Sequence, residues 1–358
     1  MINNETNSGS HQWLSRAECS ALRGIAILAI VLHNYCHWLG VAVKENEYTF
    51  SESNNLGIMR ALQYPDTCLP VHLLSFFGHY GVPVFLFLSG YGLIMKYERQ
   101  ISLPVWGFIR YHYLKLFRMM IVGFVAFIII DAITPGAWHF HADNVIAQLL
   151  MYINLLPTPD RVIWPGPYWF FGLMLQFYIV YRLLLYHRHW AFTVGAIVVC
   201  SLLQMLCMPE SETLNRLRYN CIGGMLVFGA GLLLARQRPS QLLSYINRWQ
   251  WVLIGVASVL LLFVVCFDYY SWFFAPLLII AASIGVVKIL PQRMLDILVW
   301  FGGISAAMFV AHPVLRKIFI PISRQGDIYD GLLLYIIATI AVSWMFKLII
   351  NKLPSPKL

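Results

Sequence analysis

Apolar residues in this chain gather into long blocks rather than alternating with polar ones. Ten such runs lie near 20–39, 71–95, 116–134, 167–186, 190–208, 219–235, 250–267, 272–290, 297–319 and 329–351. A hydrocarbon core of about 30 Å takes roughly 20 apolar residues as helix, so the pattern predicts ten membrane-crossing helices. Two connections are long: 40–70, polar and carrying KENEY and SESNN, and 135–166, rich in Pro, His and Trp. The other links are short, with no internal repeat and no low-complexity tract. The expected fold class is all-α, a polytopic integral membrane protein. It forms one domain over 1–358, with a polar segment at 1–19 and a helical bundle at 20–351.

Composition agrees. Of 358 residues, 59% are hydrophobic and 11% charged, against about 45–50% and 25% in soluble domains, which excludes a cytosolic enzyme and a disordered chain. The net charge of +9 comes from Lys and Arg scattered singly or in small groups between apolar runs, so nucleic acid is not an expected partner. Taken by side of the membrane, 17 of the 25 Lys and Arg fall with the termini and 8 opposite. That bias puts both termini in the cytoplasm and the two long connections outside. No cleavable signal peptide precedes the first run, which is expected to be retained. The seven Cys form no C-x-x-C pair and read as small apolar packing residues. Walker A, Gly-rich phosphate loop and HExxH motifs are absent, as is an Asp/Glu pair within the runs. No metal and no bound cofactor are therefore expected, and ATP-driven transport is disfavoured.

The chemistry must then lie in polar groups set within apolar runs, where an ionisable side chain costs at least about 2.5 kcal/mol and is a functional candidate by default. The first run, ALRGIAILAIVLHNYCHWLG, carries Arg23 at its inner end. His33 follows ten residues later, which predicts an imidazole near mid-membrane with Asn34 beside it and His37 a turn further. A buried neutral His can act as a base, or it can simply bond between helices. Arg110, Lys115 and Arg118 in FIRYHYLKLFR are either a topology anchor or a phosphate clamp. Ser89, with His79, is polar within the second run. Trp169, Gln176 and Tyr178 lie in WFFGLMLQFY, where Gln176 is the amide hardest to explain as packing. His312 precedes Pro313, which is expected to break the helix there.

Five stretches, RGIAILAIVLHN, GVPVFLFLSGYGL, RYHYLKLFR, WFFGLMLQFY and ISAAMFVAHPV, occur in the order seen in membrane-bound acyltransferase family 3, which this chain resembles over about residues 16–350. The family includes O-acetyltransferases of bacterial polysaccharides. The resemblance implies transfer of an acyl group, commonly acetyl, from cytoplasmic acyl-CoA to a sugar hydroxyl at or beyond the membrane. It assigns His33 as the catalytic group, with Arg23 as the arginine of the first helix. Lys115 and Arg118 match the basic pair that holds the CoA phosphates, with Lys in the first place, and Arg110 stands beside them. Two departures accompany it. Nine residues separate Arg23 from His33, one fewer than usual, which on an ideal helix turns the two about 80° apart. Either the helix is wound differently there, or Asn34 takes the expected place with His37 in reserve. Met174 and Leu175 also stand where polysaccharide-acylating members often carry Glu, which bears on the acceptor.

The expected function is thus an O-acyltransferase of the bacterial inner membrane, multi-pass in the lipid bilayer. Acetyl-CoA is the donor and an envelope glycan or glycolipid the acceptor. Ser89, Trp169, Gln176 and Tyr178 are pocket or oxyanion candidates, with His37, His312 and Asn34 secondary. A transporter or flippase of a glycan or anionic substrate is the alternative. The sequence carries no signal for oligomeric state.

Overall fold

A computed structural model describes residues 13–237 and 245–358, and among these the regular structure is helical, with no strand. All ten apolar runs fall on helices. Eight helical stretches are long and apolar enough to cross a membrane, and Trp190–Met205 and Ala275–Ile289 are apolar but shorter.

Helix α1 (Arg16–Cys36) begins where Ser15 and Glu18 cap each other: Ser15 Oγ accepts from the Glu18 N–H at 3.1 Å and the Glu18 carboxylate accepts from the Ser15 N–H at 2.8 Å. This capping box satisfies two otherwise unpaired donors and starts the helix four residues ahead of the apolar run. The helix ends at Cys36, which puts His33 in its last turn. After α1 the chain folds back over the helix end through residues 37–51 and enters α2 (Glu52–Gln63). Next come α3 (Leu69–Phe77), a 3-10 turn (Gly78–Tyr80) and α4 (Gly81–Tyr97), which together form one membrane-length rod.

Helix α5 (Val105–Ile133) is capped by Pro104 and takes in the basic stretch RYHYLKLFR. The apolar run that predicts this helix begins only near residue 116, so the helix starts well ahead of it. The stretch is helical because no proline between Val105 and Ile133 interrupts the ladder and its Leu, Lys and Arg residues extend a helix readily. The 135–166 connection holds α6 (Ala142–Leu149) and the short α7 (Pro159–Val162). Then follow α8 (Trp169–Val180) with a π turn at its end, α9 (Trp190–Met205), α10 (Glu212–Arg218) and α11 (Cys221–Gln237). The remainder is α12 (Arg248–Val265), α13 (Tyr269–Trp272), α14 (Ala275–Ile289), α15 (Gln292–Gln325) and α16 (Ile328–Lys352). Helix α15 runs unbroken through both Pro313 and Pro321, so Pro313 does not end it. The His312 ring offers a bond to the Met308 carbonyl at 3.2 Å in the same turn, and such bonds with tight neighbours let membrane helices carry proline.

The bundle is organised on α1, which packs chiefly on α15 and also on α3, α4 and α14, while α15 continues the layer to α16 and α5. The α1–α15 contact is close because each helix meets the other's backbone at a glycine. A Cβ on Gly302 would lie 1.9 Å from the Ser20 carbonyl oxygen, and one on Gly24 would lie 2.1 Å from that of Leu298. Small residues permit this approach of helix backbones.

Candidate active site

Two cavities lie end to end along α1. One, of about 470 Å³, is reached from the Arg23 end and has Arg23, Lys96 and Lys115 in its wall. The other, of about 280 Å³, lies at the opposite end of α1 beneath residues 37–51 and contains His33, Asn34, His37, Glu45, Glu47 and His79. Phe170 and Phe309 line both, their ring centroids 5.1 Å apart, and thus form the partition between them.

His33 is 4% exposed, and its orientation follows from one bond. Its Nδ1 lies 2.8 Å from the Ser75 carbonyl oxygen. A carbonyl only accepts, so Nδ1 carries the proton and Nε2 keeps its lone pair. Ser75 is held in turn by its own hydroxyl, which donates to the Val43 carbonyl at 2.6 Å. Nε2 lies 3.9 Å from the Glu47 carboxyl group, within the cavity. Behind the ring sits Gly78, where a Cβ would come within 2.5 Å of the His33 Cβ.

The carboxyl groups come from the 37–51 connection. Glu45 accepts from His37 Nδ1 at 2.8 Å. Burial alone would raise its pKa, but that bond and the neighbouring imidazoles hold it down at about 2. Glu47 is the reverse case: burial, and then the charge of Glu45, push it up to about 8. Near neutral pH, Glu45 is therefore the anion and Glu47 the neutral acid. The connection is fixed by the Arg218 Nε–H donating to the Glu47 carbonyl and by the Trp272 indole donating to the Asn46 carbonyl at 2.9 Å. The Arg218 guanidinium also lies over Trp272 at 4.2 Å. His33, His37 and Glu45 offer donor atoms within 4.8 Å of one another, although no metal-ligand spacing marks them in the sequence. The His37–Glu45 hydrogen bond already occupies two of the three groups.

The sequence candidates divide between the cavities. His33, Asn34, His37 and Trp169 line the second, and Arg23, Ser89, Lys115 and Tyr178 line the first. Because α1 is regular throughout, the offset of Arg23 from His33 needs no local rewinding: the two side chains serve different chambers. Asn34 bonds back to the Ile30 carbonyl at 3.0 Å and faces Arg316 at 3.2 Å. Four candidates are placed elsewhere. Arg110 is exposed. Arg118 donates to the Ile350 carbonyl at 2.8 Å and to Ser355 Oγ at 2.6 Å, tying down the C-terminal segment. Gln176 bonds Asn220 at 2.6 Å and accepts from the Cys221 N–H at 2.9 Å, so its amide tethers the start of α11. His312 is fully buried with Nε2 unpaired, and it lines neither cavity.

The structure also brings in residues that were not candidates. Lys96 joins the cations of the first cavity, where His112 stacks on Tyr178 at 3.9 Å with its Nδ1 unpartnered. Arg316, 5% exposed, reaches the second cavity with its guanidinium 4.7 Å over Trp38. His112 stands within the quoted RYHYLKLFR, and Arg316 lies one turn after His312 in an apolar run. Arg316 had a signal, an ionisable group at apolar depth, whereas His112 lies outside the apolar runs and had only its place in that basic stretch. Glu45 and Glu47 had none, since they look like ordinary loop charges.

A family model described as an acyltransferase domain matches residues 17–348. No curated protein and no solved structure matches the chain. The match spans nearly the whole helical bundle, including both cavities and the helix that links them, and the chain belongs to acyltransferase family 3, as a multi-pass membrane acyltransferase.

Proposed function

We propose that the protein is an O-acyltransferase of the bacterial inner membrane that moves an acetyl group from acetyl-CoA to a hydroxyl of an envelope glycan or glycolipid. The observation that carries this reading is the pair of unlike cavities meeting at Phe170 and Phe309. Arg23, Lys96 and Lys115 suit the phosphates of CoA, to which Lys and Arg both bind by charge-assisted hydrogen bonds. The thioester arm, uncharged and narrow, reaches toward His33 as the two phenyl rings tilt apart. The acceptor hydroxyl enters the other cavity and donates its proton to His33 Nε2 as its oxygen attacks the thioester carbonyl. The tetrahedral intermediate collapses by breaking the C–S bond, and the proton held on His33 passes to the departing thiolate, leaving ester and free CoA. Arg316 is the cation in the same chamber that can meet the oxyanion.

Orientation by the positive-inside bias sets the Arg23 end in the cytoplasm, where acyl-CoA is made. A transporter would use a polar path through the bundle but has no need to hold CoA.

The test uses membranes carrying the protein, acetyl-labelled acetyl-CoA and a crude envelope glycan fraction. Label should appear in base-labile ester and disappear with His33→Ala at equal expression. Undiminished labelling by that variant would reject the role given to His33. Thermal stabilisation by CoA that Lys96→Ala or Lys115→Ala weakens would separate an acyltransferase from a transporter.

A further inference from the structure

The His33 cavity continues outward into a second chamber of about 320 Å³, which shares Glu45, Glu47, Tyr48 and Asp160 with it and adds Glu210 and Glu212. Five of the chain's 16 acidic residues therefore line one entrance of a protein whose net charge is +9, and no Lys or Arg is in that lining. Among the described residues Asp160, Glu210 and Glu212 make no salt bridge. The Asn215 amide donates to Asp160 at 3.2 Å and to Glu212 at 3.0 Å, so two carboxylates are held side by side by one neutral group.

Two independent features point to a ligand on the path inward. His79 is 4% exposed and lines the inner chamber with both ring nitrogens unpartnered. A buried polar group left so is where a ligand's hydroxyl or a water completes the bonding. The same chamber has an aromatic wall, Tyr48, which also lines the outer chamber, stacked on Tyr219 at 3.9 Å with Trp169 edge-on to each at 5.5 and 5.7 Å. Such faces pack on the apolar side of a sugar ring and also attract an ammonium group.

We propose that the acceptor carries a protonated amine, as an amino sugar does, and that uronic-acid and other anionic glycans are excluded. This rests on the acyl-transfer reading and names its acceptor class. The carboxylates recruit a cation and repel a carboxylate, an effect that grows in a low-dielectric cleft and fades once salt shortens the screening length to a few ångströms. The amine sits among Asp160, Glu210 and Glu212 while a hydroxyl of the same or the next sugar reaches His33.

The experiment uses the purified full-length chain in lipid nanodiscs and three matched trimers, of glucosamine, of N-acetylglucosamine and of galacturonate. Binding is read by thermal stabilisation without donor, and transfer from acetyl-CoA is read as base-labile acetyl, which separates ester from any amide formed on the amine. Glucosamine trimer should bind and be esterified about tenfold better than galacturonate trimer at low salt, with N-acetylglucosamine trimer between them and the preference shrinking in 1 M salt. Glu210 is exposed and makes no side-chain hydrogen bond, so Glu210→Gln alone should lower the preference without unfolding. Adding Asp160→Asn and Glu212→Gln should abolish it. Equal or better use of galacturonate trimer, or a preference that survives the triple substitution, would overturn the proposal. A binding preference with no transfer to any trimer would support the amine site and count against acyl transfer.

Discussion

The two chambers along α1 are built in opposite ways. The Arg23 chamber takes its charged groups from regular helices: Arg23 from α1, Lys96 from the last turn of α4, Lys115 from α5. The His33 chamber takes one imidazole from the last turn of α1 and most of its remaining polar groups from connections: Glu45 and Glu47 from 37–51, Asp160 from the 135–166 stretch, Tyr219 from the turn before α11. A helix places a side chain by periodicity, whereas a connection places it by anchors distant in sequence, here Arg218 and Trp272. The Arg23 chamber is therefore fixed by local rules and the His33 chamber by long-range ones, which leaves the His33 chamber free to vary with loop sequence.

The largest effect that sharpens this contrast is at the His33 ring. His33→Ala should lower kcat by about 10²- to 10⁴-fold, the range for removing a general base, while His37→Ala, which removes only the partner of Glu45, should cost far less. Comparable losses from both would move the base away from His33. At the donor end, Lys96→Ala or Lys115→Ala should raise KM for acetyl-CoA by about tenfold, the worth of one charge-assisted hydrogen bond. Arg118→Ala should leave that KM near its original value and lower Tm instead, because its guanidinium is committed to Ile350 and Ser355. If Arg118→Ala moves KM, the basic pair acts together in spite of that commitment.

Gly78→Ala tests the wall behind His33. A methyl group forced against the His33 Cβ should cost about 1–3 kcal/mol of stability, read as a lower Tm, and should displace the ring, read as lost kcat with KM for acetyl-CoA unchanged. The smallest effect concerns Glu47. Its carboxyl is held up at about 8 in the fold against an ordinary value of 4.5. Between these values the folded state holds a proton the unfolded chain has lost, so this group's stabilising share is whole below about 4.5 and is lost as pH rises through about 8. Tm measured over that window should decline by a few degrees, and Glu47→Gln should flatten the decline. An unchanged slope in Glu47→Gln would show that Glu47 does not set it.

Much of this architecture was legible in the sequence, and the pattern of misses is physical. Apolar runs located the helices because the bilayer demands twenty apolar residues in a row wherever they occur. They did not locate helix starts, which depend on caps such as the Ser15–Glu18 pair and on Pro104. His33 stood out because an imidazole in an apolar run has few cheap explanations. Gln176 stood out for the same reason yet serves to tether α11, so the same signal marks structural and chemical groups alike. The carboxyl groups of Glu45 and Glu47 were invisible, since only the tertiary fold turns a KENEY loop inward.

A channel wide enough for a substrate would also short-circuit the membrane it crosses. Phe170 and Phe309, tilted against each other with centroids 5.1 Å apart, offer a hydrated ion neither charge nor hydrogen bond to replace its water, which raises the cost of its passage there. A slender, uncharged chain needs no such replacement and has only to tilt two rings. On the acyl-transfer reading, such a partition lets a substrate arm pass while keeping the ionic gradient of the cell from leaking through the enzyme.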